Sequence, residues 1–287
     1  ASAEAFTDFC YRHTFGSVKD EIDMATVFQV NDQVVCASES QPWLSPAKIN
    51  TGYNRDYALN RQNTMWPFSN GFWDYQARNN YMMRQGKPVV DILVYVGDET
   101  PMKLLAHRLP VIPEGYDFDV CSTDGLKQKN VADYKLLAIE KTAVVRPETE
   151  ELIARLKADG MLVFDNRVQA DDEMAGMLSD GGVRPDLQIN SRRTALDRVF
   201  FTHRQTGNAD IYFLVNHSRD HEFVDSVIMR TGYNVAEWWN AIDGSRKKLV
   251  TRRTPQGVKT MLRLKPGEAG FIVANRNVAP GLDTYST

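Results

Sequence analysis

Cysteine is scarce in this sequence of 287 residues: Cys10, Cys36 and Cys121 are its three cysteines, and they lie far apart. This number and spacing provide neither a disulfide framework nor a cysteine metal cluster, and we expect three small buried side chains. The five histidines have no metal-ligand spacing, and no glycine-rich phosphate loop follows a predicted strand. A nucleophilic set of serine, histidine and aspartate is not recognisable. Cysteine usage leaves the compartment open.

Strong net charge and long apolar runs are absent too. The formal net charge is −3 and the isoelectric point is near 6.0, which argues against nucleic acid or an anionic membrane as the main partner. The longest apolar runs are only strand-sized, so no membrane-spanning segment is predicted. Hydrophobic residues make up 43% and charged residues 25%. That composition is typical of a globular protein with two or three cores.

Strand and helix patterns alternate from residue 1 to about residue 110. In chain order they predict a strand at 1–6, a helix from Ser17 to about Val30, a strand at 33–37, a helix at 72–85 ended by Gly86, and a strand at 89–96. This β-α-β-α-β order is typical of the last part of a barrel or of an open α/β sheet. The polar connection at 45–63 is unusually long, so we expect a functional role for it.

Two further units follow a proline-flanked linker at 110–113. In residues 111–193, strands at 134–139 and 161–165 flank a helix at 147–158 that Pro147 opens, which predicts a flavodoxin-like α/β domain. In residues 194–287 the helical period disappears, and short strands between turn signals predict a β-sandwich. The predicted strands of that unit are 199–203, 210–215, 223–230, 236–240, 248–251, 259–264 and 270–273.

Two glutamates lie where predicted strands end. Glu4 is at the end of the first strand, and Glu39 follows the next one. Because parallel strands bring their carboxyl ends to one rim, we expect both side chains to face one pocket. A pair of carboxylates there permits glycoside hydrolysis or divalent metal binding. An ordinary solvated charge remains the alternative for each. A functional residue at position 4 also implies that the chain begins inside a domain.

Aromatic and amide side chains are dense on the same predicted rim. Sugar sites need this mixture, because aromatic faces stack on C–H surfaces while amide and guanidinium groups bind hydroxyls. With Glu39, the predicted substrate-binding residues are Gln41, Trp43, Tyr53, Asn54, Arg55 and Trp66. For Trp66, Phe72 and Trp73, packing in a core beneath the rim is the alternative.

Seven sequence features occur in order over nearly the whole chain. They are Ala-Glu-Ala-Phe-Thr (3–7), Lys19 with Asp23, Gln-Pro-Trp-Leu (41–44), the Tyr-Asn-Arg to Asn-Thr-Met-Trp stretch (53–66), the segment 75–95, Pro-Glu-Gly-Tyr-Asp-Phe-Asp (113–119), and His-Arg followed by Asp-Ile-Tyr-Phe-Leu-Val-Asn (203–216). Each is weak alone, but the ordered set is specific. Together they resemble the C-terminal half of glycoside hydrolase family 106, the α-L-rhamnosidases of plant-polysaccharide degradation.

The resemblance implies a (β/α)8 barrel, then a flavodoxin-like domain, then a β-sandwich. Residues 1–110 would be the C-terminal part of the barrel, and its missing N-terminal half would be a partner. The resemblance also implies calcium-assisted, inverting hydrolysis with two glutamates, a carbohydrate substrate, and a periplasmic or secreted location. The family's Ala-Glu-Ala-Phe-Thr glutamate maps onto Glu4, which would be the general base that activates water. The general acid would lie on an earlier strand outside this sequence, and the metal ligands are not identified.

The sequence departs from the family pattern where substrate would be bound. Cys36 and Ser40 stand where the family tends to have histidines, Glu39 is added beside them, and Met65-Trp66 replaces a Trp-Trp pair. We interpret the chain as part of a glycosidase that removes terminal α-L-rhamnose or a similar deoxy-sugar from complex glycans. One alternative is a non-catalytic carbohydrate-binding protein derived from such an enzyme. Another is a purely structural array of domains.

Overall fold

The structure is a computed structural model that describes residues 2–5, 13–35, 40–45, 60–61, 63–99, 109–128, 131–189 and 199–277. In these residues the chain is a mixed α/β protein with four sheets and five α-helices. The helices are α1 (Phe15–Val27), α2 (Asn70–Met83), α3 (Thr123–Gln128), α4 (Pro147–Ala158) and α5 (Glu173–Asp180). None of these helices combines the length and apolar character needed to cross a membrane.

The strands fall into two parallel and two antiparallel groups. The first parallel group is β1 (Ser2–Ala5) and β2 (Asp32–Val35). Two short strands, β3 (Lys87–Pro88) and β4 (Ile92–Tyr95), follow in the chain and belong to other sheets. The other strands before residue 190 are β5 (Phe118–Cys121), β6 (Leu136–Ile139), β7 (Leu162–Asp165) and β8 (Leu187–Ile189). The remaining strands are β9 (Val199–Gln205), β10 (Ala209–Asn216), β11 (Phe223–Met229), β12 (Val235–Asn240), β13 (Arg246–Lys248), β14 (Thr251–Arg253), β15 (Val258–Leu264) and β16 (Ala269–Asn275).

Helix α1 begins earlier than the sequence predicted. Thr14, not Ser17, is the N-terminal cap: its Oγ1 accepts from the backbone N–H of Ser17 at 3.2 Å, and Ser17 Oγ accepts in return from the N–H of Thr14 at 3.1 Å. This reciprocal pair satisfies two amides that the first helical turn leaves unpaired. The cap prediction was wrong because serine and threonine, three residues apart, are equally suited to the role.

Four parallel strands form one sheet in the order β5-β4-β6-β7. The apolar strand predicted at 89–96 belongs here, as β4, and the prediction that it completes the first unit is wrong. The predicted boundary near residue 110 therefore falls after the first strand of this sheet. A strand buried on both faces reads as one apolar run whichever sheet it joins, so its sequence does not identify its neighbours. Short β5 and the helices α3 and α5 had no prediction.

The antiparallel strands form a six-stranded sheet, β13-β12-β16-β10-β9-β3, and a four-stranded sheet, β14-β15-β11-β8. All seven strands predicted after residue 194 are present, but the one at 248–251 is split. β13 and β14 join different sheets, and buried Leu249 lies between them. Tyr212 and Leu214 of β10 contribute to an apolar core shared with the four-stranded sheet. Ile211 and Phe213, on the other face of β10, contact α1 and α2 instead.

Gly86 follows α2 as the sequence predicted, but the helix ends at Met83. Gly86 has a φ of 57°, and a Cβ there would lie 2.0 Å from the carbonyl oxygen of Gln205. Only glycine permits both the left-handed backbone and this close approach. The position therefore lets the chain leave α2 and enter β3 against β9.

Candidate functional site

Glu4 lies on the exposed face of a parallel pair of strands. β1 and β2 are neighbours with Glu4 opposite Val34, as the crossover rule predicted for the two strands. Side chains alternate along a strand, so Ala3 and Ala5 point the other way, and Ala5 packs against the core beneath α1 and α2. The Glu4 carboxylate is therefore on the face directed away from the helices. Glu39 lies outside the described residues, and a shared pocket stays a prediction.

The segment 40–45 combines one buried and one exposed predicted site residue. Gln41 is buried, whereas 43% of Trp43 is exposed. Nη2 of Arg61 donates to the backbone carbonyls of both, with a distance of 2.9 Å to Trp43. Arg61 therefore holds this segment in place from twenty residues downstream, and the Trp43 ring is available to a ligand. Sequence analysis did not single out this positioning role.

Trp66 is half-buried and packs against the core around Phe72. Its ring lies edge-on to Trp73 at 6.3 Å, and Trp73 contacts Phe72 at 4.9 Å. This packing is the structural alternative named above for these three aromatic residues, and it leaves only part of Trp66 accessible. Three other predicted substrate-binding residues lie outside the described residues: Tyr53, Asn54 and Arg55.

Lys19 and Asp23 form an ion pair on α1 that also contacts the turn before β16. Lys19 Nζ lies 2.6 Å from Oδ2 of the fully buried Asp23 and 2.7 Å from the carbonyl oxygen of Gly267. The hydroxyl of Tyr75 donates to the other carboxylate oxygen. Burial raises the pKa of Asp23, and the neighbouring ammonium opposes that shift. The pair joins α1, α2 and the β15–β16 turn, so its role is structural.

A second buried charge network explains the feature at 203–216. His203 Nδ1 lies 2.9 Å from Asp186, its Nε2 lies 3.5 Å from Asp210, and its ring stacks on Tyr212 at 3.9 Å. Burial alone would lower the pKa of His203, but the interactions with the two carboxylates, a hydrogen bond to Asp186 and the charge of Asp210, outweigh it and raise the pKa. Arg230 extends the network, 2.7 Å from Asp91 and 3.5 Å from Asp186. The network therefore joins the four-stranded parallel sheet to both antiparallel sheets.

Among the described residues, Glu4 belongs neither to a metal-binding group nor to the lining of the groove described below. Within those ranges no three His, Cys, Asp or Glu side chains come together in a group that could hold a metal ion. Calcium stays a prediction from resemblance. A groove of about 740 Å³ between α1 and β9 contains Asp117, and Glu4 does not line it.

Comparison with known proteins gives one family match and several similar structures. A family model described as alpha-L-rhamnosidase, glycoside hydrolase family 106, matches residues 1–164 and 143–253. A curated protein of Formosa agariphila named "Putative beta-glucuronidase" is 28% identical over 275 residues, covering 81% of this chain and 23% of its own length.

The structural matches share the fold at low sequence identity. The structure of a rhamnosidase from Novosphingobium sp. PP1Y matches 100% of this chain with a TM-score of 0.77 and 18% identity, over 32% of that protein. A beta-galactosidase from Bacillus circulans sp. alkalophilus matches 90% of the chain with a TM-score of 0.58 and 8% identity, over 52% of its length. The chain thus spans about a quarter of the curated relative and about a third of the rhamnosidase structure.

Proposed function

Because this chain belongs to glycoside hydrolase family 106, the α-L-rhamnosidases, we propose that it serves in the inverting hydrolysis of terminal α-L-rhamnose or a similar deoxy-sugar from complex glycans. The observation that carries the proposal is the position of Glu4. It stands at the end of a parallel strand, inside the motif 3–7, and on the face directed away from the helices. A carboxylate in that position can act on a substrate at the rim.

In the proposed reaction Glu4 is the general base. It takes a proton from a water molecule that attacks the anomeric carbon as the glycosidic bond breaks, and a general acid protonates the leaving oxygen. Inverting enzymes hold the two carboxyl groups about 6.5–9.5 Å apart so that the water fits between base and sugar. We propose that the acid lies on a barrel strand outside this sequence and that the Trp43 ring stacks on the sugar.

The proposed architecture is the C-terminal part of a (β/α)8 barrel, a flavodoxin-like domain and a β-sandwich. Among the described residues β1 and β2 pair only with each other, and a two-stranded sheet is marginal in isolation. This supports the remainder of the barrel as the structural partner of the pair. A calcium ion and a periplasmic or secreted location are further proposals that rest on family membership alone.

There are two candidate substrates, because the curated relative is named a beta-glucuronidase and the family model is described as alpha-L-rhamnosidase. A β-glucuronide is the second candidate, and the 28% identity to the Formosa agariphila protein favours testing it. A protein that binds glycans without hydrolysing them is the rival class. It would keep the exposed Trp43 and lose the paired carboxylates.

The test is an assay of the intact natural protein and its Glu4→Gln variant on aryl α-L-rhamnosides and aryl β-D-glucuronides. Loss of a positioned base costs roughly 10²–10⁴ in kcat. Glu21→Gln, an exposed glutamate on α1, is the matched control and should retain full activity. Formation of the β-anomer from an α-rhamnoside, read by NMR, would establish inversion. An unimpaired Glu4→Gln variant would disprove the role of Glu4, and binding without turnover would favour the rival class.

A further inference from the structure

Three arginines line a pocket at one end of the four-stranded antiparallel sheet. The pocket has a volume of about 470 Å³ and contains Arg184, Arg230 and Arg253 in its lining. Arg184 precedes β8, Arg230 follows β11, and Arg253 ends β14. Every lining residue belongs to the described part of the chain. Neither Glu4 nor Trp43 lines this pocket. We call it the arginine pocket.

Backbone carbonyl groups hold the three guanidinium groups in place. Arg184 donates to the carbonyl of Pro255 at 2.6 Å, and Arg253 donates to the carbonyl of Thr231 at 2.9 Å. Arg230 donates to the carbonyl of Arg184 at 2.9 Å. A carbonyl orients a guanidinium without neutralising it, and each guanidinium has five N–H donors. Donors therefore remain for a ligand, in side chains that have already lost much of their conformational freedom.

The charges of the pocket are unbalanced. Arg230 is paired with the carboxylates of Asp91 and Asp186. Arg184 and Arg253 have no carboxylate within ion-pair distance among the described residues. Both residues are exposed, and two like charges that line one pocket repel each other. An anion placed between them would relieve that repulsion.

A tight turn forms part of the pocket wall. Thr254 and Gly257 close a tight turn, with the Thr254 N–H 2.8 Å from the Gly257 carbonyl oxygen. A Cβ on Gly257 would lie 2.1 Å from the carbonyl oxygen of Met229, so the turn packs directly on β11. The turn is therefore held against the end of β11.

We propose that the arginine pocket is a binding site for an oxyanion, a sulfate or carboxylate group carried by an acidic saccharide. Arg184 and Arg253 would bind the oxyanion through paired N–H donors, the geometry that guanidinium groups offer to carboxylate and sulfate oxygens. Arg230, whose charge is balanced by Asp91 and Asp186, would hold the carbonyl of Arg184 in place rather than bind the ligand. This site is independent of hydrolysis at Glu4 and would position a charged glycan at a distance from it.

The test is calorimetric titration of the intact natural protein with three probes: sodium sulfate, sodium glucuronate, and a neutral control, methyl α-L-rhamnopyranoside. We expect saturable binding of sulfate or glucuronate that weakens steeply between 20 and 200 mM sodium chloride, because part of the site is exposed. In the double variant Arg184→Gln with Arg253→Gln we expect the Kd for that anion to rise at least about tenfold, since hydrogen bonds to charged groups carry most of the affinity.

The matched control is Arg155→Gln with Arg252→Gln, which removes the same charge. Arg252 neighbours Arg253 on β14 but does not line the pocket, and Arg155 is exposed on α4. The control should bind the anion as the unchanged protein does. Equal weakening in both double variants would show a general charge effect and overturn the proposal, as would absence of saturable anion binding. Sulfate binding without glucuronate binding would assign the site to a sulfated saccharide, and the reverse to a uronic acid. Unchanged far-ultraviolet circular dichroism would exclude misfolding of the double variant.

Discussion

Gln29 donates from Nε2 to Oδ2 of Asp117 over 3.0 Å, which joins the end of α1 to the start of β5. Thr202 of β9 donates to the same oxygen at 3.3 Å, and the N–H of Phe118 donates to the other oxygen at 2.8 Å. Burial nevertheless raises the pKa of Asp117 to about 6. The carboxyl group is therefore a titrating link between three units of the structure.

We predict that Asp117→Asn stabilises the protein above pH 6. The folded pKa lies above the unfolded value, so the stability associated with the protonated carboxyl is complete below pH 4 and is lost as pH rises through about 6. At pH 8 the free energy of unfolding of the variant should be about 1–2 kcal/mol higher than that of the original protein. At pH 4 the variant should lose this advantage, because its amide nitrogen replaces an oxygen that accepts a hydrogen bond. Urea unfolding at both pH values measures this, and equal effects at pH 4 and pH 8 would contradict it.

We predict that His203→Gln destabilises the protein by about 3 kcal/mol at pH 6, because it removes the cation between two buried carboxylates, of which Asp186 keeps Arg230 as a partner. The raised pKa of His203 sets the direction of the pH effect. The stability from the charged imidazole is complete below about pH 6.5 and is lost as pH rises past the folded pKa.

The difference between variant and original should therefore shrink at pH 9. Denaturant unfolding at pH 6 and pH 9 gives both values. Asp180→Asn, at an exposed carboxylate on α5, is the control, and we expect it to change stability by less than about 0.5 kcal/mol. If His203→Gln destabilises the protein more at pH 9 than at pH 6, His203 is not charged in the folded protein.

We predict that Lys19→Met destabilises the protein by about 3 kcal/mol, because the fully buried Asp23 loses its counter-charge. Adding Asp23→Asn to that variant should restore part of the loss, since the second change removes the unpaired charge. A double-mutant cycle by chemical denaturation measures the coupling. Additive effects of the two substitutions would show that the ion pair contributes nothing.

We predict that Trp43→Ala weakens binding of the sugar substrate about three- to tenfold without changing stability. The ring is partly exposed, and the backbone of the segment is held by Arg61 rather than by the ring. Leu44→Ala is the matched control, because Leu44 is the next residue and is 93% exposed. Titration with rhamnose measures the binding and thermal unfolding measures the stability. Equal loss in both variants would remove Trp43 from the site.

Local patterns predicted the helix Pro147–Ala158, because a proline in the first turn and the Asp159-Gly160 stop are both local signals. Strand periodicity also predicted the antiparallel strands of the last unit. The helices α3 and α5 were missed, and each has eight residues or fewer, which is too short for a helical period to stand out.

The candidate site was predicted less completely than the fold. Strand alternation and the motif at 3–7 led to Glu4, and the strand pairing agrees with that position. The arginine pocket gave no sequence signal, because Arg184, Arg230 and Arg253 are up to 69 positions apart and each resembles a surface arginine. Arg61, which holds the backbone of Trp43, was not among the predicted site residues.

The sequence by itself determined the helices and strands with clear periods, the family, and a carboxylate at the end of a strand. Only the tertiary structure decided that β4 joins the parallel sheet, that Leu249 separates two strands of different sheets, and that His203 lies between Asp186 and Asp210. The physical reason is that local backbone preference and hydrophobic period act between near neighbours in the chain. Sheet partners and buried charge pairs depend on burial of whole faces and on the cost of an unpaired charge, and these form between distant residues only when the fold is complete.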